Sequence, residues 1–218
     1  MVNGDPYMEQ LIRIIILGLI QGLTEWLPVS STGHLKLAER ILGLEAPILF
    51  DAILHAGTLI VILLFFRSDI KNILAALAQF NFKTENGKLI PLIIIGTIPT
   101  ALIGLFFGNT IENTFRDVST IAVAFIICGI ILYTSRIRKE EKNSITYMEA
   151  LAIGLAQGIA IIPGISRSGI TIAAALLLGV RREKAFKFSF LLSVPAVIGA
   201  LGLTIYTQHR ELARAGLE

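Results

Sequence analysis

Three stretches of the chain, 89–111, 118–135 and 188–208, run apolar without one charged residue. A helix rises about 1.5 Å per residue, so crossing a bilayer takes roughly 20 residues. Each stretch is therefore expected to be a transmembrane helix. A fourth, 52–66, reaches that length if it begins near 48, and it has to tolerate His55.

Two regions break this pattern. Residues 14–24 are apolar but end at Glu25 and run into Pro28-Val29-Ser30-Ser31-Thr32-Gly33-His34. A short segment, 35–44, follows and contains Lys36, Glu39 and Arg40. Residues 150–162 likewise meet Pro163-Gly164-Ile165-Ser166-Arg167-Ser168-Gly169, followed by 170–180. Each region reads as two short helices around a turn, that is, a re-entrant hairpin. Such backbone is tolerated at membrane depth only where it is buried in protein or lines a cavity.

The two regions are also related to each other. A shift of 136 residues pairs Gly18 with Gly154, Gln21 with Gln157 and Gly22 with Gly158. It also pairs Ser30 with Ser166, Gly33 with Gly169, Leu42-Gly43 with Leu178-Gly179, and Phe50 with Phe186. Repeat one covers about 8–66 with the following spans 89–135, and repeat two about 147–208. Three spans separate the hairpins, an odd number, so they enter from opposite faces. That is an inverted-topology repeat with broken helices in matching positions. The repeat leads one to expect mates of 89–111 and 118–135 after Gln208.

Composition agrees and narrows the class. Of 218 residues, 54% are hydrophobic and 16% charged, and the mean hydropathy is +0.75. A soluble domain carries about 25% charged residues. Too little polar material is present to coat a soluble core, and disorder is excluded by the same numbers. The expected fold is an all-α polytopic membrane protein in one domain, with two re-entrant hairpins and about four full transmembrane helices. The net charge of +3 is small and its basic residues are dispersed, so no nucleic-acid partner is expected. The sole cysteine, Cys128, forms no intrachain disulfide, and three His residues make no Cys/His metal cluster. The opening MVNGDPYMEQ lacks the marks of a removable signal peptide.

Loop charge sets an orientation. Arg67, Lys71, Lys83, Lys88, Arg136, Arg138, Lys139, Lys142, Arg181, Arg182, Lys184 and Lys187 fall on one side. Arg13, Lys36, Arg40, Arg116, Arg210 and Arg214 fall on the other. The positive-inside rule puts the first set in the cytoplasm. The first hairpin then enters from outside and the second from inside, with their tips meeting near the midplane.

Glu25, His34 and Arg167 stand at or beside these tips. An ionisable group at that depth is costly, and its default reading is functional. Gly33, Gly164 and Gly169 allow close backbone approach. Ser30, Ser31, Thr32, Ser166 and Ser168 suit helix caps, and helix N-termini suit an anion. Arg167 offers a planar fork for phosphate oxygens. Glu25 can act as a general base or hold a divalent cation, Mg²⁺ or Ca²⁺, through oxygen. His34 or Ser31 can be the nucleophile, His34 being slightly preferred because imidazole needs less activation; attack by water stays open. Gln21 lies one turn before Glu25, whereas Ile161 stands where repeat two would carry an acid. The site is thus one asymmetric centre made from both halves. His55 reads as a helix–helix contact.

The run Gln21-Gly-Leu-Thr-Glu25-Trp-Leu-Pro-Val-Ser-Ser-Thr-Gly-His34 resembles the first signature of the undecaprenyl-diphosphate phosphatase (BacA) family. Pro163-Gly-Ile-Ser-Arg-Ser-Gly-Ile-Thr171 resembles its second. The resemblance implies an integral membrane enzyme that removes the terminal phosphate of a polyprenyl diphosphate. It implies recycling of the lipid carrier of cell-envelope glycans and resistance to bacitracin, which sequesters that substrate. It implies roles for Glu25, His34, Ser31, Arg167, Ser166 and Thr171, with Gln21 a permitted variant. The expected partners are the diphosphate lipid, the plasma-membrane bilayer and a second copy of the chain, with the site reached from the outer face. The resemblance also implies a further pair of spans after Gln208. Two other readings stand beside it: a carrier that flips polyprenyl phosphate, and an inactive shortened copy.

Overall fold

The computed structural model describes residues 6–44, 48–115, 117–139 and 141–214. Among them the chain is helical: α1 (Pro6–Trp26), α2 (Ser31–Leu42), α3 (Ile48–Phe65), α4 (Arg67–Ala78), α5 (Leu89–Thr114), α6 (Val118–Ser135), α7 (Tyr147–Ile159), α8 (Arg167–Leu177) and α9 (Arg182–Arg214). The only bridge among these residues links Lys142 and Val180.

Among the described residues four helices are long and apolar enough to cross a membrane: Tyr7–Trp26, Leu89–Ile111, Val118–Ser135 and Arg182–His209. Exposed apolar side chains along them, among them Leu19, Leu105, Ile126 and Ile205, are what a lipid-facing surface requires. The multi-pass membrane class follows. α3 begins at Ile48, as its length demanded, and meets α4 at a 78° bend. The pattern did not announce α4. Arg67, Asp69 and Lys71 cannot continue an apolar span, so the chain turns aside while staying helical.

The first hairpin is uneven. Its leading arm is the 21-residue α1 rather than the short run expected over 14–24. Arg13 lies one turn from Glu9 and is paired with it, which lets the helix run on through both charges. The second hairpin has two short arms, of 13 and 11 residues.

Two ion pairs and a hydrogen bond gather the basic loops at one end. Lys187 reaches Asp69 at 2.5 Å, Lys184 reaches Glu85 at 3.3 Å, and Arg181 reaches Asn143 at 3.0 Å. Lys36, at the other end of α3, holds Glu39 and Asp51, each at 3.3 Å. Arg116 lies outside the described residues.

Local structure recurs at the shift of 136. Ser30 Oγ accepts from the Gly33 N–H and Ser166 Oγ from the Gly169 N–H, the same side-chain cap on α2 and α8, although the backbone differs, with φ 66° at Ser30 and −74° at Ser166. Both helices end on a left-handed glycine, Gly43 (φ 62°) and Gly179 (φ 87°). The closing bonds match as well. Gly43 N–H donates to Arg40 O and Leu44 N–H to Glu39 O; Gly179 N–H donates to Leu176 O and Val180 N–H to Ala175 O. This is a Schellman-type stop written twice.

The surroundings of the repeats differ. α7 lies so close to α5 that a Cβ on Gly154 would stand 2.1 Å from the Gly96 carbonyl oxygen, and one on Gly158 would stand 2.4 Å from Ile103 Cδ1. Their mates Gly18 and Gly22 on α1 face open space. One core joins α5, α7, α8 and α9 through Leu92, Ile153, Leu176, Phe188 and Leu192. A second, from α3 and α9, holds Ile62, Phe66, Phe190 and Leu191, with Trp26 packed on it.

Candidate active site

The two turns meet tip to tip. A Cβ on Gly33 would stand 3.1 Å from the Gly164 Cα and 2.6 Å from the Phe125 ring. A Cβ on Gly169 would stand 3.1 Å from the Pro28 Cβ. Gly164 itself has φ 98°, and a Cβ there would stand 2.7 Å from the Ile121 carbonyl oxygen. All three glycines are fixed by approach distance or conformation.

Glu25 is at the centre of this contact, 7% exposed in the last turn of α1. The next residue, Trp26, stacks on Phe190 at 4.9 Å and meets Phe65 edge-on at 5.4 Å, which anchors the end of α1. Ser31 Oγ donates to Glu25 Oε2 at 2.5 Å, and Gln21 Nε2 donates to the same oxygen at 3.2 Å. Arg167, the first residue of α8, is ion-paired with Glu25 Oε1. Ser168 Oγ donates to the Glu25 carbonyl at 3.4 Å. A carboxylate from repeat one and a guanidinium from repeat two thus close one centre across the tips.

The second Arg167 nitrogen, Nη1, is buried without a partner. An orphaned charged donor is expensive to bury, and it sits beside the N-terminus of α8, whose free N–H groups favour an anion.

His34 is half-buried in the first turn of α2. Its Nδ1 lies 2.8 Å from the Ser30 carbonyl oxygen. A carbonyl only accepts, so Nδ1 is the donor in this contact, and in the neutral ring Nε2 is the nitrogen left to accept. The ring rests edge-on against Phe125 at 5.2 Å. Thr32 is half-buried beside it.

The remaining expected residues divide. Ser30 and Ser166 are engaged as caps, and the Ser166 N–H also points at Cys128 Sγ at 3.4 Å. Thr171 is fully buried and donates to the Arg167 carbonyl at 2.8 Å, so its hydroxyl serves its own helix. Two participants gave no signal in the sequence. Phe125 walls the tips from α6, and Thr58 on α3 accepts from Gln21 Nε2 at 3.2 Å. Nothing in the apolar runs that carry them marks one Phe or one Thr from its neighbours.

As a metal centre the donor set is thin. Among the described residues no three His, Cys, Asp or Glu side chains come together. Glu25 is the only carboxylate at the tips, Gln21 stands one turn before it, and both Glu25 oxygens are engaged. These residues do not by themselves fit a resident divalent cation.

Comparison with known proteins covers nearly all of this framework. The model of the family described as bacitracin resistance protein BacA matches residues 14–217. The undecaprenyl-diphosphatase of Carboxydothermus hydrogenoformans is 49% identical over 197 residues, which are 88% of this chain and 72% of the relative. That of Thermosipho africanus is 47% identical over 85% of this chain and 75% of the relative. That of Korarchaeum cryptofilum is 39% identical over 95% of this chain and 83% of the relative. With a family model spanning almost the whole sequence and relatives this similar, the chain belongs to the BacA family.

Proposed function

We propose that this protein hydrolyses undecaprenyl diphosphate to the monophosphate and inorganic phosphate, within the plasma membrane and at a site open to the outer face. The reaction returns the lipid carrier to cell-envelope glycan synthesis and lowers the amount of diphosphate that bacitracin can sequester. The observation that carries this reading is the Ser31–Glu25–Arg167 junction, with a hydroxyl on a carboxylate and an unpartnered guanidinium nitrogen beside it. The relatives named undecaprenyl-diphosphatase support the same substrate.

The geometry favours Ser31 over His34 as nucleophile. Glu25 is a base already in contact with the Ser31 hydroxyl, the pairing that activates a serine. In the first step Ser31 Oγ bonds to the terminal phosphorus and the bond to the bridging oxygen breaks. The serine proton goes to Glu25, and undecaprenyl phosphate leaves with the bridging oxygen. Arg167 and the N–H groups at the start of α8 hold the phosphoryl oxygens as charge shifts onto them. In the second step water attacks the phosphoserine. Its proton passes to His34 Nε2, the serine oxygen recovers the proton from Glu25, and phosphate departs.

A divalent cation, Mg²⁺ or Ca²⁺, would find only Glu25 as a carboxylate at the tips and would supply charge neutralisation of the diphosphate. Hairpins entering from opposite faces would let a membrane-anchored tail stay in lipid while its headgroup enters between the tips. A carrier has no need of a hydroxyl held on a carboxylate.

The test is phosphate release from undecaprenyl or farnesyl diphosphate by purified protein, with trapping of ³²P on Ser31. Full activity in Glu25→Gln, Ser31→Ala and Arg167→Lys would overturn the reading. Leaflet exchange of labelled undecaprenyl phosphate without any hydrolysis would put the carrier in its place.

A further inference from the structure

Gln21 Nε2 has two hydrogens, and both are engaged. One goes to Glu25 Oε2 and the other to Thr58 Oγ1, each at 3.2 Å. The direction of the second bond is fixed by Thr58 itself. Its hydroxyl donates to the Leu54 carbonyl at 2.9 Å, so toward Gln21 it can only accept. An acceptor at that point admits the amide NH₂ and rejects its carbonyl. Gln21 Oε1 is left buried without a partner, and Gln21 is 2% exposed. The amide is thus held in the one orientation that aims its second N–H at Glu25, at the expense of its own carbonyl.

Repeat two shows the same link without the acid. Gln157 Nε2 donates to Thr100 Oγ1 at 3.2 Å, and the Thr100 hydroxyl donates to the Gly154 carbonyl at 2.9 Å. Ile161 occupies the place of Glu25 there. In that half the Gln–Thr bond joins α7 to α5 and has nothing further to orient. In the first half the bond comes from a different helix, α3, and it continues to the carboxylate that receives the Ser31 hydroxyl.

We propose that Thr58 is a positioning residue for Glu25: by accepting from Gln21 it fixes the amide orientation that holds the Glu25 carboxylate against Ser31. The inference rests on the phosphatase reading for its kinetic consequence. It touches neither substrate nor reacting atoms, so its effect falls on turnover and not on binding.

The experiment compares the full chain with Thr58→Val, Thr58→Ala, Thr58→Ser and Thr100→Val, using farnesyl diphosphate. Thr58→Val is expected to lower kcat about tenfold at unchanged KM, the scale of one hydrogen bond to a charged group. Thr58→Ala removes the same acceptor without new bulk and gives the same loss. Thr58→Ser restores kcat. Thr100→Val lowers Tm and leaves kcat alone. In a Gln21→Met background, Thr58→Val adds nothing further. Unchanged kcat in both Thr58→Val and Thr58→Ala, no rescue by serine, or an additive loss in the Gln21→Met background overturns the proposal. A second readout needs no turnover and separates this inference from the phosphatase reading. Labelling of Glu25 by dicyclohexylcarbodiimide, followed by mass spectrometry, is faster in Thr58→Val than in wild type, because a carboxylate oxygen no longer held by the Gln21 amide is open to the reagent. Equal labelling rates overturn it even if the wild type releases no phosphate.

Discussion

Ser31 and Glu25 face each other across the first turn, hydroxyl to carboxylate at 2.5 Å, both almost fully buried. Little of either is open to solvent, so each restrains the other. Ser31→Ala and Glu25→Gln are each expected to lower kcat by at least about a thousandfold, and the double variant little further, because the two act as a unit. Steady-state phosphate release measures all three.

His34 presents a free Nε2 only because Nδ1 is committed to the Ser30 carbonyl. His34→Gln keeps a donor near that carbonyl and removes the proton acceptor. It is expected to slow the second step about a hundredfold and to let phosphoserine accumulate, visible as ³²P retained on the protein. Absence of that label, with phosphate release still slow, would place His34 in the first step instead.

Arg167 bonds Glu25 with one nitrogen and leaves Nη1 free. Lysine keeps the charge but cannot serve two partners in one plane. Arg167→Lys is therefore expected to lose about a hundredfold in kcat/KM, on the scale of a lost donor to a developing charge.

Gly154 and Gly18 are a controlled pair, equivalent in sequence but not in surroundings. Gly154→Ala drives a methyl into the Gly96 backbone and is expected to lower Tm sharply or abolish folding. Gly18→Ala meets open space in the structure and is expected to hold or raise Tm, alanine being favoured in a helix by about 1 kcal/mol. Thermal unfolding in one detergent compares them.

Trp26 ties the catalytic end of α1 to Phe190 and Phe65. Trp26→Ala is expected to cost about 3 kcal/mol of stability and to lower kcat as Glu25 loses its anchor. Trp26→Phe is expected to recover most of both.

Much of this was legible in the chain. α5, α6 and most of α9 follow from long runs without charge, and the two turns follow from Pro, Gly and Ser where an apolar run stops. Glu25, Ser31, His34 and Arg167 stand out because ionisable and nucleophilic groups are rare in such surroundings. The shift of 136 anticipated the twin caps at Ser30 and Ser166 and the twin stops at Gly43 and Gly179. Other features were hidden for physical reasons. The start of α1 depends on Glu9 and Arg13 pairing, a contact that periodicity does not register. α4 is set by where charge forces the chain off its span. The proposal of Ser31 over His34 rests on which group touches Glu25, and Thr58 is one hydroxyl among many in apolar helices.

The pairing of Glu25 with Arg167 makes the centre of the tips a zwitterion. A bare cation waiting for substrate in a low-dielectric interior would carry a large solvation penalty, and this arrangement avoids it by keeping a resident anion. On the proposed reading an arriving diphosphate meets Nη1 while Glu25 keeps the other nitrogen. One guanidinium charge is then shared between two anions, which tempers the hold on each. A tempered hold suits release of a product that is itself a lipid phosphate.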